Sequence, residues 1–231
     1  MKVGQISFNK LSNKADYLQF DICGCSSLDV MKKILSYGEV PIILHGDWTK
    51  KGFSENNLEH RYKEYIKIIN VLKNFTNVLG LTLHPPARSK MSLKRIEEIV
   101  SIIEEQSNTN VFLENRSNIL LNLSKTSEII EYSKKHKMTI DVPQLYISCN
   151  YNQNSLLDTL SKINMNNVKE IHLANIKRMG NHTFVGRKLE DGELDIFNIL
   201  KYCPKEAFYT LEILGHIKVF EEMKELLKEK I

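Results

Sequence analysis

Short, largely apolar runs alternate with longer stretches of helical period, and no other feature of this chain limits its possible folds so sharply. The runs are residues 3–8, 17–22, 41–44, 78–83, 111–113, 138–140, the stretch ending at His172, and 208–211. Each is too short for a helix and too continuously apolar for a strand with one wet face. Strands buried on both sides of a parallel sheet read this way. Between them lie amphipathic stripes. Val30, Met31, Ile34 and Leu35 follow a Ser27 cap and stop at Gly38. Leu58, Tyr62, Tyr65, Ile66, Ile69, Leu72 and Phe75 mark a helix over 58–75. Leu93, Ile96, Ile99, Val100 and Ile103 mark the next, and Ser124 is expected to cap one carrying Ile129 and Ile130. Leu156, Leu157, Leu160 and Ile163, a stretch from about Ile196, and finally Ile217, Phe220, Met223, Leu226 and Leu227 complete the series. Eight such units in 231 residues favour closure into a TIM (β/α)8 barrel over an open doubly wound sheet. The link between the first two strands is too short for a full helix, so a shortened first β-α connection is expected. With no repeat, linker or low-complexity tract, residues 1–231 are expected to form a single domain.

Composition narrows the class. The chain is 42% hydrophobic and 26% charged, which supports a sizeable core and excludes disorder. No apolar run approaches the roughly 20 residues of a membrane span, and the opening residues lack a signal-peptide core. Cys23, Cys25, Cys149 and Cys203 lack zinc-ribbon spacing and are expected to be reduced thiols of a cytoplasmic protein. A net charge of +4 permits an anionic partner without demanding one. No glycine fingerprint or P-loop follows a strand, so nothing supports a dinucleotide or P-loop nucleotide site.

The chemistry-bearing residues fall at the strand ends. His45, His84, Glu114, Asp141, His172 and Glu212 close six strands in succession. In a barrel these positions converge on one face. Any one of them alone is best read as a cap or hydrogen-bonding group. Six acids and imidazoles crowded together would repel or stay unsatisfied without a cation. The mixed set suits zinc, manganese, cobalt or iron. His60 and His136 are expected on exposed helix faces with no role. The stretch 175–195, with His182, Gly186, Arg187 and Gly192, reads as a polar loop on the same face.

The order Glu114, Asp141, His172, Glu212, in the settings Leu113-Glu114-Asn115, Ile140-Asp141, Ile171-His172-Leu173 and Leu211-Glu212, together with Leu83-His84-Pro85, resembles the xylose-isomerase-like TIM-barrel superfamily. That superfamily includes sugar isomerases and epimerases and the endonuclease IV type of DNA-repair enzyme. The resemblance implies that Glu114, Asp141, His172 and Glu212 bind one divalent ion, and that Glu114 and Glu212 act as acid and base. Its endonuclease branch implies a second ion held by His45 and His84 and bridged by Glu114. A third ion of that branch lacks its partners here: Gln144 and Gly180 stand at two of the places, and only His182 matches.

The expected function is that of a divalent-metal-dependent isomerase or epimerase, holding one or two ions, of a small sugar or sugar phosphate. His182, Arg187, Arg116, Asn115 and Trp48 are the expected substrate contacts. Arg187 or Arg116 would grip a phosphate or carboxylate in bidentate fashion, and Trp48 would stack on a ring. A basic rim of Lys50, Lys51, Arg88, Lys90, Arg116, Lys177, Arg178, Arg187 and Lys188 fits either an anionic substrate or plain solvation. The rivals are an endonuclease IV-like phosphodiesterase, with nucleic acid as the less favoured partner, a metal-dependent oxidative or lyase enzyme, and a non-catalytic barrel acting as a binding module.

Overall fold

A computed structural model describes residues 1–6, 11–22, 27–46, 58–180 and 182–230. The elements run β1 (Lys2–Ile6), β2 (Tyr17–Asp21), α1 (Ser27–Leu35), β3 (Ile42–His45), α2 (Leu58–Leu72), β4 (Val78–Leu83), α3 (Leu93–Ser107), β5 (Val111–Glu114), α4 (Thr126–Ser133), β6 (Met138–Asp141), α5 (Val142–Ser148), α6 (Gln153–Lys162), β7 (Val168–Leu173), β8 (Asn175–Met179), β9 (His182–Arg187), α7 (Ile196–Leu200), β10 (Phe208–Leu211) and α8 (Ile217–Lys230). Eight strands close a barrel in the order β1-β10-β7-β6-β5-β4-β3-β2. All its pairings are parallel. These are the eight apolar runs of the sequence. Their buried patterns, such as the fully buried β3, β5 and β6, follow from helices covering the outside while side chains fill the inside. No helix among the described residues is long and apolar enough to cross a membrane.

The short link from β1 to β2 has no helix in its described part, residues 11–16. It is fastened instead by Asp16, whose carboxylate accepts from the Val3 amide at 2.8 Å and from the Lys224 ammonium of α8 at 2.7 Å. Lys224 is buried, so this ion pair ties the last helix to the described part of that link.

Four sequence expectations are corrected. The second long helix stops at Leu72, and Phe75 lies beyond it, exposed. Ser124 does not cap α4: its hydroxyl donates to the Leu121 carbonyl, and Lys125 holds the cap position without a side-chain bond. His136 lies in the turn after α4, stacked on Tyr132 with centroids 4.5 Å apart, rather than on a helix face. The polar loop after β7 is an antiparallel ribbon, β8 against β9. The ribbon lacks a buried stripe; Met179, Thr183 and Phe184 are exposed. Without a core face it carries no period for sequence reasoning to find. A helix was also missed: α5 follows Asp141 directly, with Pro143 in its first turn and the Asp141 carboxylate accepting from the Gln144 amide at 2.7 Å. Pro143 therefore starts a helix rather than merely ending a strand.

Candidate metal centre

The six strand-end residues belong to β3, β4, β5, β6, β7 and β10, which are consecutive neighbours around the barrel. His45, Glu114 and Asp141 are the last residues of their strands, and His84 and Glu212 follow theirs immediately. His172 is one residue short of its strand end and points inward. The parallel register pairs Asp141 with His172 and brings the set to one rim.

Glu114 is the hub. Its Oε2 lies 3.3 Å from His45 Nε2, 3.1 Å from His84 Nε2 and 3.4 Å from His172 Nδ1. His172 Nδ1 is also 3.3 Å from Glu212 Oε1. Two sets of donor atoms are close enough to share an ion: His45, His84 and Glu114, and Glu114, Asp141 and His172, each with atoms within 4.8 Å of one another. His172 Nδ1 is buried and makes no hydrogen bond.

Charge and burial bear on whether a cation fits. Burial, then the negative charges of Glu212 and Glu114, push the Asp141 carboxyl well above the usual carboxylate range. Burial alone would also raise Glu114, but the charges of His84 and His172 outweigh it and hold that carboxyl well below its ordinary value. Burial opposes the charged form of His172, yet Glu212, Glu170 and Glu114 raise its pKa well above the usual imidazole value. The carboxylates thus favour the charged form of His45 and His172 beside them. A divalent ion would supply that positive charge with the imidazoles neutral, so the donor set fits one.

Beneath His172 lies a residue that sequence reasoning passed over. Glu170 is fully buried inside the barrel. Its carboxylate accepts from Gln19 Nε2 at 3.0 Å, Thr139 Oγ1 at 3.1 Å, Thr210 Oγ1 at 2.6 Å and the Thr82 hydroxyl. His172 Nε2 is 3.3 Å from Glu170 Oε2 and 2.6 Å from Gln19 Nε2. The charge of His172 keeps the Glu170 carboxyl low despite burial. The spacing Glu170-Ile171-His172 was the available signal, since residues two apart on a strand share a face.

The site opens into a cavity of about 300 Å³, room for a small molecule. Asp21, Glu114, Asp141 and Glu212 line it, and Arg116 is the basic side chain among its described walls. Ile6, Val185, Ile213 and Leu214 form an apolar side. Gly186 also belongs to the wall. Its φ is +86°, and an added Cβ would come within 2.9 Å of Leu214, so glycine is required there on two counts.

The expected substrate contacts fare unevenly. Arg116 reaches the site, with Nη1 3.1 Å from Glu114 Oε1. Asn115 does not line the cavity: it is fully buried, its amide accepting from the Asp141 amide at 2.8 Å and donating to the Asp141 carbonyl at 3.1 Å. It clamps two strand ends together. His182 is exposed at the far end of β9, and Arg187 pairs with Asp191 on the outside of the ribbon. Trp48, Lys50 and Lys51, like Cys23 and Cys25, lie outside the described residues. Much of the basic rim is matched by acids: Arg88 with Glu128 at 2.5 Å, Lys177 with Asp191 at 3.7 Å, Arg178 with Glu193 at 2.8 Å and Lys188 with Glu222 at 3.1 Å.

No protein-family model matches the chain, and no curated protein sequence does. Solved structures match it closely in fold. A D-tagatose 3-epimerase-like protein superposes with a TM-score of 0.68, covering 100% of this chain and 97% of that chain at 15% identity. The IOLI protein with a binding zinc atom gives 0.63, over 100% and 96% of the two chains, at 12% identity. A xylose isomerase-like TIM barrel protein from Mycobacterium smegmatis, in complex with magnesium, gives 0.66 over 94% and 83% at 11% identity. The chain has the xylose-isomerase-like TIM-barrel fold.

Proposed function

We propose that this protein is a divalent-metal-dependent isomerase or epimerase of a small polyhydroxylated substrate. The observation that carries the reading is the convergence of four carboxylates and three imidazoles on one rim of the barrel, with Glu114 shared by both groups able to hold an ion. Glu114, Asp141, His172 and Glu212 would hold the ion, with His45 and His84 as candidate ligands of a second. A cation there supplies Lewis-acid polarisation of a carbonyl and its neighbouring hydroxyl, which lowers the cost of removing the proton between them. Glu114 and Glu212 then serve as the acid and base, one on each side of the reacting carbon. The protein similar to D-tagatose 3-epimerase and the two neighbours named with zinc and magnesium support both the reaction class and the need for a metal.

A neutral sugar is favoured over a sugar phosphate. Among the described residues the cavity holds four acids against one arginine, and Arg88, Lys177, Arg178, Arg187 and Lys188 already face acids elsewhere. The test is solvent-deuterium incorporation at the α carbon across a panel of neutral and phosphorylated sugars, followed by NMR. Glu114→Gln and Glu212→Gln are expected to abolish exchange. Variants that bind metal normally and keep full turnover would reject the assignment.

The second reading is an endonuclease IV-like phosphodiesterase, and the His45–His84–Glu114 group favours it. Such an enzyme's DNA binding would weaken steeply with salt, because each neutralised phosphate releases counterions. Binding that is absent or indifferent to salt rules it out.

A further inference from the structure

We infer that Arg116 occupies the place of a second cation beside Glu114, so that this barrel holds one resident ion rather than two. The inference rests on the metal-dependent reading above and settles which half of the donor set the ion takes. Arg116 lies two residues beyond Glu114, and its backbone is pinned on both sides. Its amide donates to the Leu123 carbonyl at 2.9 Å, and its carbonyl accepts from the Ser148 hydroxyl of α5 at 3.1 Å. The adjacent Ser117 amide donates to the Gln144 side chain at 3.1 Å. The guanidinium is thereby delivered with Nη1 3.1 Å from Glu114 Oε1 and 3.1 Å from His84 Nε2.

The chemistry of those two contacts makes them exclusive of a metal. A guanidinium carries only donors and stays charged. The guanidinium and Glu114 Oε2 each lie 3.1 Å from His84 Nε2, the nitrogen whose lone pair an ion between His45, His84 and Glu114 would need. Glu114 Oε1 is held by the guanidinium, so only Oε2, which faces His45, His84 and His172 alike, is left to serve an ion. A second ion would have to displace Arg116 or sit against its positive charge in a buried pocket, where like charges repel strongly. The other group needs no atom of His84: Glu114, Asp141 and His172 offer donor atoms within 4.8 Å of one another there, and His172 Nδ1 makes no hydrogen bond. Arg116 therefore acts as a fixed monovalent cation that neutralises one side of Glu114 and excludes a second divalent ion. A single-ion site is what proton transfer next to a carbonyl needs, whereas in-line phosphodiester cleavage draws on paired ions.

The test counts ions. Chelator-stripped protein is dialysed against Co²⁺ and then Zn²⁺, and bound metal per chain is measured by plasma emission together with the Co²⁺ visible spectrum. Wild type is expected to saturate at one ion. Arg116→Met is expected to take two, with a second spectral component, and Arg116→Met/His84→Ala to return to one. Arg116→Lys, which keeps the charge, is expected to stay at one. Two ions on wild type would overturn the inference and leave the metal-dependent reading standing. Arg116→Met remaining at one while folded, as judged by circular dichroism, would also overturn it. No metal on any form would overturn both together. The wild-type count alone decides the matter even if a variant fails to fold.

Discussion

His172 shows how one side chain can be set up from both ends. Nδ1 faces Glu114 and Glu212, while Nε2 faces Gln19 and Glu170 in the barrel interior. With an ion on Nδ1 the ring proton resides on Nε2, and Glu170 is placed to accept it. Such a buried carboxylate fixes the tautomer of a ligating imidazole and raises its basicity. Glu170→Gln keeps the shape and removes the charge. It is expected to weaken metal binding by about 10–100-fold, measured by competition with a chromophoric chelator. The ¹⁵N shifts of the His172 ring, read in the same samples, separate a lost tautomer preference from simple loss of fold. If affinity and shifts both match wild type, Glu170 has no hold on the ligand.

At the scale of elements, the ribbon β8–β9 replaces a plain loop at the cavity mouth and brings Val185 and Gly186 to its wall. One residue anchors its base. The Asn175 amide donates to the Leu189 and Leu194 carbonyls at 2.7 and 3.0 Å and accepts from the Ile176 and Leu194 amides at 2.8 and 2.9 Å. Asn175→Ala leaves these buried groups unpaired and is expected to cost about 2–4 kcal/mol in urea unfolding. It should also raise KM more than it lowers kcat, because the wall loosens while the strand-end residues stay in place. The β1–β2 link gives a second prediction. Burial would raise Asp16, but its bond to Lys224 outweighs this and lowers the pKa below the ordinary 3.8. A lowered carboxyl contributes stability above 3.8 that is lost as pH falls through the folded value. Asp16→Asn should therefore lower the neutral-pH Tm and flatten its fall below pH 3.8, as read by thermal melts from neutral pH down into that range.

For the whole molecule, the site makes stability depend on pH in opposite senses with and without metal. His172 titrates well above its ordinary 6.5 in the metal-free chain, so its contribution is full below 6.5 and is lost as pH rises through the folded value. Asp141, raised by burial and by Glu212 and Glu114, binds its proton more tightly when folded and adds a fall in the same direction. Glu114 acts oppositely: its pKa lies well below 4.5, and its contribution is lost only in acid. The stripped protein should thus melt at lower temperature as pH rises from 6.5 into the alkaline range. Saturating metal should reverse that trend, since neutral imidazoles and ionised carboxylates are the binding forms. Differential scanning fluorimetry with and without chelator measures both slopes. Parallel slopes would mean that the ion and these groups are not linked.

By itself the sequence determined the strands, most of the helices and the six strand-end residues. Burial on both faces writes a strand as a short, mostly apolar run, and an imidazole or carboxylate that ends such a run stands out against it. Tertiary structure decided whatever depends on a partner distant in sequence. Glu170 shares the face of His172 by its spacing, but that five groups on other strands and on its own converge on it is visible only in the folded chain. Asn115 was expected beside the substrate, but its amide matches the backbone of a strand 26 residues further along. Arg187 and Arg116 look alike in sequence, yet one faces Asp191 in solvent and the other faces Glu114 in the barrel. The ribbon carries no apolar period because only its base, at Asn175, Ile176 and Gly186, is buried. Periodicity records what a segment does with water, whereas pairing across the barrel is recorded only in the folded chain.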